Sequence, residues 1–446
     1  MANRNWIDIP FHPRRVPFFY GWVIVGACII GTLSSIPGQT VGVGVFTEPL
    51  IAALHIDRMQ LSLAYMFGTV ASSFLLPFAG QLLDKIGARA MGALSAAGLS
   101  LSLVFLSQTD RIALVGTVNS ALLGIMVSTV AFLAIRFFGQ GCLTMVSRVM
   151  IGKWFHHRRG LASAIAGLFI AITFFNAPWA LKSVMTIAGW RGTALLMALI
   201  IGVGTTAVAL LLYRDNPQQC GLVPDGVQDP AWHKKMAARV PEIHRHFTRA
   251  EALRTPAFWA FTLGLSAQSL SITAVTFHIE SLGAEMGLDA ATSFQVFAFM
   301  PIFSVSSNFI AGYISDKIRL RWLLYTMMFA QGVGGIGLLS FYDPLGWWML
   351  IAGYGVAGGL FGTLINVTWP RLFGLEHLGA ITGINLSFMV FASAIGPAFF
   401  SAMQLLTGDY TFVKILSLLM PVGVLIVALF AENPQRKFAK QGPGAG

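Results

Sequence analysis

The chain has 446 residues, of which 56% are hydrophobic and 11% charged, with a formal net charge of +11. Soluble globular domains carry roughly 25% charged residues, so a water-exposed surface of this size is excluded and lipid is the implied solvent. The large positive charge does not by itself mark a nucleic-acid binder, because its placement follows the loops between apolar runs.

Those runs, most near the ~20 residues that a helix needs to cross a hydrocarbon core, predict an all-α membrane protein. Twelve transmembrane helices are expected, over residues 18–45, 59–83, 89–107, 123–154, 160–186, 191–213, 256–281, 290–315, 322–341, 345–372, 378–406 and 411–431. The first is too long for a cleavable signal and is expected to stay as helix one. Within it, Pro37 and Gly38 predict a break beside Gln39 and Thr40. Backbone groups freed there can bind a ligand or serve as a hinge.

Between the second and third helices lies Gly80–Arg89, GQLLDKIGAR, and its pattern GxxxDKIxxR recurs at Gly312–Arg321, GYISDKIRLR, between the eighth and ninth. Such an echo indicates duplicated halves. A second echo aligns GKWFHHRRGLASAIAG from Gly152 with PRLFGLEHLGAITGIN from Pro370, pairing Lys153 with Arg371. The helices are therefore expected in two pseudo-symmetric six-helix bundles, residues 1–213 and 256–446. A polar linker, 214–255, joins them, and its stretch from Asp229 to Arg239 is a candidate amphipathic surface helix. Asp110 and Arg111 interrupt the apolar character of 108–123, where helix boundaries are soft.

Basic residues gather at Arg14 and Arg15, Lys85 and Arg89, Lys153, Arg158 and Arg159, Lys317, Arg319 and Arg321, and Arg436 and Lys437. The intervening loops carry Glu48, Asp57, Asp110, Glu285, Asp289, Asp343 and Asp409. This positive-inside alternation places both termini and the linker in the cytoplasm, with the basic clusters meeting lipid headgroups.

Charges inside spans carry the most information, since each costs roughly 2.5–3.5 kcal/mol on insertion scales. Arg136 falls near the middle of helix four, and Gln140, Thr144 and Arg148 follow at steps of four as a polar stripe. Such a stripe faces an aqueous cavity or a polar partner helix. Arg136 is thus a candidate fixed cation for a substrate carboxylate, or else an organiser of packing against helix one. Arg148 suits a gate, and Lys182 an interfacial anchor. Helix seven carries Gln268, Ser269, Thr273, Thr276, His278 and Glu280, with His278 a candidate for substrate bonding or proton coupling. Asn366, Thr368 and Trp369 in helix ten, and Asn385 and Ser387 in helix eleven, complete a central site or join helices.

Gly80, Asp84, Lys85 and Arg89 resemble the loop signature of major facilitator superfamily transporters, and Arg136 followed by Gly139–Gly141, GQG, resembles their fourth-helix signature. FYGWVIV at Phe19–Val25, GQT at Gly38–Thr40, WFHHRRGLA at Trp154–Ala162 and the His278 segment are similar to the monocarboxylate-porter and oxalate/formate-antiporter branch. The second loop copy departs from the pattern, with Arg319 where the first has Gly87. The resemblance implies alternating access, with Gly80, Asp84 and Arg89 as gating residues, Asp84 facing a helix N-terminus and pairing with Arg89. Gly312, Asp316 and Arg321 are expected to act likewise.

The expected function is secondary transport of a small organic anion by proton symport or exchange with a counter-anion, by a monomer in a bacterial inner membrane. The alternatives are export of amphipathic compounds and a non-transporting sensor or scaffold. No GxSxG, HExxH or Walker pattern occurs, so neither an enzyme nor a cofactor is expected. Cys28, Cys142 and Cys220 lack metal or disulfide spacing.

Overall fold

The computed structural model describes residues 9–114, 120–227, 229 and 243–439, and its regular elements among the described residues are all helices. Helix one is broken as expected. α1 (Gly21–Ser34) leads through a 3-10 turn, Ile36–Gly38, to α2 (Thr40–Leu54). Pro37 has no N–H to extend the ladder, and Gln39 turns extended at φ −87°, ψ 157° before α2 restarts. The span also runs beyond the expected residue 45.

α3 (Arg58–Leu106) begins with a capping box between Asp57 and Gln60, and Gly87 within it is non-helical at φ 79°, so the helix comprises two spans meeting in the DKIGAR segment. α4 (Thr109–Leu114) accounts for part of the uncertain region, and its Asp110 pairs with Arg191. α5 (Ser120–Ile135) and α6 (Thr144–Trp154) are joined by a π-helical stretch, Arg136–Leu143. In α7 (Arg159–Leu199), Gly189 at φ 68° again separates two spans, and a second π stretch, Ile200–Thr205, leads to α8 (Thr206–Leu212). The candidate surface helix in the linker, apart from Asp229, lies outside the described residues.

The later elements are α9 (Arg249–Leu253), α10 (Pro256–Ala284), α11 (Ala290–Ser315), α12 (Leu320–Leu339), α13 (Pro344–Phe373), α14 (Leu378–Thr407), α15 (Thr411–Leu429) and α16 (Arg436–Ala439). Starts are set locally: Thr255 caps α10 and Pro256 occupies its first turn, while Asp289 caps α11.

The chain divides into two compact units. The first holds Met1–Phe155, Phe169–Gly226 and Thr382–Ser387, and the second holds His156–Leu168, Val227–Ile381 and Phe388–Gly446. Each has its own apolar core, around Phe46, Leu99 and Phe132 in the first and Val275, Leu338 and Leu350 in the second. Large apolar side chains such as Phe78 and Leu405 stay exposed, as lipid-facing surfaces require. Because lipid supplies no hydrophobic drive between helices, close approach at small residues holds them together. A Cβ on Gly353 of α13 would stand 2.2 Å from the Gly334 nitrogen of α12.

Candidate substrate site

Helix four changes from α to π form at Arg136. A π turn takes in an extra residue, so Gln140, Thr144 and Arg148 do not continue a straight stripe from Arg136. Two glycine contacts fix this segment. A Cβ on Gly38, at the helix-one break, would meet the Ile135 carbonyl oxygen at 2.5 Å and Gly139 Cα at 2.8 Å. One on Gly68 of α3 would meet the Thr129 carbonyl oxygen at 2.6 Å and the Leu133 nitrogen at 2.8 Å. Backbone therefore packs on backbone on both sides of Arg136, which is 1% exposed.

Among the described residues, the polar partner of Arg136 is the break in helix one. Nη1 donates to the Gly38 carbonyl at 3.0 Å and approaches Thr40 Oγ1 at 3.5 Å. The guanidinium carbon lies 5.2 Å from the centre of the Tyr65 ring. Nε and Nη2 are buried and have no hydrogen-bond partner, and among the described residues no carboxylate pairs with Arg136. Those two nitrogens form one edge of the guanidinium, the edge that a carboxylate grips with two parallel bonds. α2 begins at Thr40, the residue that Nη1 approaches; its N-cap Gln39 makes no side-chain cap bond, the Gly42 and Val43 amides bond the Gln39 carbonyl at 3.0 Å, and the helix start carries a partial positive charge.

The other polar residues expected at the site in the first unit differ in what they bond. Gln39 turns its amide to Ser35 Oγ at 3.0 Å. Gln140 Oε1 and Arg148 Nη1 are buried without a partner, while the Thr144 hydroxyl bonds back to the Gln140 carbonyl.

In the second unit, helix-seven polar residues join α10 to α14, meeting positions four apart on α14. Ser269 donates to the Met389 carbonyl at 3.1 Å, Thr273 meets Ser393 at 2.9 Å, and His278 Nε2 meets the Pro397 carbonyl at 2.9 Å. The other ring nitrogen of His278, Nδ1, bonds Tyr410 at 3.1 Å. Both nitrogens are thus engaged within the unit, with Nε2 as donor and Nδ1 as acceptor. Tyr410 in turn donates its amide to Glu285 at 2.8 Å, and Glu285 pairs with Lys414 at 2.6 Å. Lys414, a buried cation in the first turn of α15, was legible as a lysine inside an expected span and was overlooked there. Asn366 bonds back to the Gly362 carbonyl at 2.8 Å. Gln268 Oε1 and Trp369 Nε1 are buried and unpartnered, and Asn385 is 0% exposed, within the six residues that cluster with the first unit.

The loop signatures find helix ends. Asp316 accepts the Gly160 amide at 3.1 Å to each oxygen, at the start of α7, and pairs with Arg371 at 2.9 Å. Arg371 takes the place expected for Arg321, whose guanidinium lies over the ring of Trp322, 5.7 Å from its centre. The reason is positional: Arg321 already belongs to the first turn of α12, whereas Arg371 ends α13, where the tight packing of α13 on α11 delivers it to the carboxylate. Burial pushes the Asp316 carboxyl up from its ordinary value, against the downward pull of Arg371 and then of the Gly160 amide. At Gly312, an added Cβ would stand 2.7 Å from the Gly160 carbonyl oxygen, and one on Gly383 would stand 3.2 Å from Gly80 Cα. Arg89 donates to the Ile9 carbonyl at 2.8 Å and the Tyr213 carbonyl at 3.3 Å.

Asp215 escaped the sequence reading. It accepts the Ala88 amide at 3.2 Å, just past Gly87, and both its oxygens lie 3.0 Å from Lys153 Nζ. Its signal is a third echo, DNPQ at Asp215–Gln218 and ENPQ at Glu432–Gln435. In the second copy the glutamine is the one used: Gln435 holds the His244 and Arg245 amides at 3.1 and 3.0 Å.

A paired acid at a helix start in each unit, two glycine-packed halves and a cation beside a broken first helix are consistent with a duplicated transporter, and a family model for the Major Facilitator Superfamily matches residues 23–397. The chain belongs to that superfamily. This member is 22% identical over 455 aligned positions to the uncharacterized transporter YycB of Bacillus subtilis strain 168, covering 98% of this chain and 96% of that protein. It is also 22% identical to the uncharacterized MFS-type transporter YcxA of the same organism, over 78% of this chain and 80% of that one. Among solved structures, the proton:xylose symporter XylE superposes with a TM-score of 0.66 at 14% identity, over 92% of this chain and 95% of that one. The E. coli fucose:proton symporter FucP superposes with a TM-score of 0.62 at 13% identity, over 93% and 99%. The superfamily member is thus a multi-pass membrane transporter with the twelve-helix fold.

Proposed function

We propose that this transporter carries a small organic anion, a monocarboxylate, by alternating access coupled to proton symport or to anion exchange, as a monomer with cytoplasmic termini in a bacterial inner membrane. The observation that carries the reading is the buried Nε/Nη2 edge of Arg136, which has no hydrogen-bond partner. A buried cation without an acid is costly, and a carboxylate on that edge supplies the missing charge. XylE and FucP are proton symporters, which supports proton coupling, but a neutral sugar has no need of such a cation. Because Arg136 is 1% exposed, the anion must enter when the helix-one break moves away from it. Gly80, Asp84, Arg89 and Arg148 in the first half, with Gly312 and Asp316 in the second, are the proposed gating set, with Arg371 as the partner of Asp316 in the place of Arg321, and with Asp215 added.

The test is thermal stabilisation of the purified protein by pyruvate and other monocarboxylates, in the wild type and in Arg136→Ala. Stabilisation specific to carboxylates and lost in the variant is expected. Stabilisation that survives the substitution unchanged removes Arg136 from the site. In proteoliposomes, flux that ignores a collapsed proton gradient but needs an internal anion selects exchange over symport.

A further inference from the structure

We propose that Tyr65 is the positioning residue that aims the open edge of Arg136 at the anion, an inference that rests on the carboxylate reading above. Three observations place it. The Arg136 guanidinium carbon lies 5.2 Å from the Tyr65 ring centre, and the Tyr65 hydroxyl is 3.2 Å from Thr40 Oγ1, the same oxygen that Arg136 Nη1 approaches at 3.5 Å. The ring is held from a third side by Phe132, edge-on at 5.6 Å between centroids. Tyr65, Thr40 and Arg136 come from three different helices, so their meeting is a property of packing and not of local sequence.

The position of Tyr65 follows from Gly68. Backbone contact there presses α3 onto Thr129–Leu133, and a residue three positions earlier on α3 lies on the same helical face one turn away, beside Phe132 and Arg136. An aromatic ring suits this place for a specific reason. Its π face attracts a guanidinium and restrains its plane, yet carries no formal charge, so the cation remains available to an external anion. A carboxylate at position 65 would neutralise Arg136 and close the site. An aliphatic side chain would leave the guanidinium free to rotate, so that Nε and Nη2 could turn to the Gly38 carbonyl at the helix-one break.

The experiment measures pyruvate uptake in proteoliposomes of the full chain, resolving KM and Vmax, together with pyruvate-induced thermal stabilisation, for wild type, Tyr65→Phe, Tyr65→Leu and Arg136→Ala. Tyr65→Leu should raise KM roughly tenfold with Vmax within about twofold, and Tyr65→Phe should stay within about threefold of wild type because the ring is kept. A merely structural role would lower melting temperature and Vmax without moving KM, and that result overturns the inference. If Tyr65→Leu does not fold, Tyr65→Met against Tyr65→Phe supplies the same contrast of ring against no ring. The two readings fail differently. Wild-type KM in the ringless variant, with binding lost in Arg136→Ala, rejects Tyr65 alone; undiminished pyruvate binding by Arg136→Ala rejects the anion site and Tyr65 with it.

Discussion

Arg136 in the first unit and Arg371 in the second are both buried arginines near helix-four-type positions of their halves, and they are satisfied in opposite ways. Arg371 has Asp316 at 2.9 Å and the Ser315 carbonyl; Arg136 has one carbonyl, one distant hydroxyl and a ring, with an entire edge unused. A buried cation with its own acid closes a structure. One left without an acid costs stability until an outside anion arrives, and this contrast separates the fixed scaffold from the candidate site.

The comparison is broken most severely by removing the paired arginine. Arg371→Ala leaves the Asp316 carboxylate buried without its partner and should cost about 3–5 kcal/mol, read as a large fall in melting temperature without ligand. Arg136→Ala should do the reverse: unliganded stability holds or rises, while carboxylate affinity drops about 10- to 100-fold, the value of a charge-assisted bidentate contact. Equal destabilisation by the two substitutions would erase the distinction.

Gly38→Ala tests the packing that presents Arg136. Its methyl would press on the Ile135 carbonyl oxygen at 2.5 Å, costing about 1–3 kcal/mol and weakening anion binding with it, whereas Gly44→Ala, with nothing within 4 Å, should be silent. Lys414→Met sharpens the contrast on the paired side: Glu285 keeps 28% side-chain exposure, so the loss should be only about 1 kcal/mol, with pyruvate KM unchanged.

The smallest effect belongs to the short α9. Bonds from the Thr248 amide and then its hydroxyl hold the Glu251 carboxyl below its ordinary value. A depressed acid stabilises the fold above its unfolded titration and loses that contribution as pH falls through the lowered folded value. Melting temperature measured across this acid window should decline less in Thr248→Ala than in wild type.

Much of the fold was legible because lipid imposes a simple rule: apolar runs of membrane length must be helices. That logic located the spans, the break at Pro37 and Gly38, and Asp316 as an acid for a helix start. It failed at Arg321, because pairing by sequence proximity cannot anticipate that α13 brings Arg371 to the same carboxylate. It named His278 and Gln39 as candidate ligands without showing that both ring nitrogens of the first and the amide nitrogen of the second are engaged by neighbours. It passed over Tyr65, an aromatic residue in an apolar run with nothing local to distinguish it from a lipid-facing one.

The sequence by itself determined the solvent, the helical class, the duplication and the presence of a guanidinium inside an apolar span, since each depends on composition and spacing along one chain. Which of that group's five N–H bonds would be left over was decided only by tertiary structure. The answer rests on Gly38, Gly68 and Gly139 letting three backbones close around it, and contact between segments distant in sequence has no local signature.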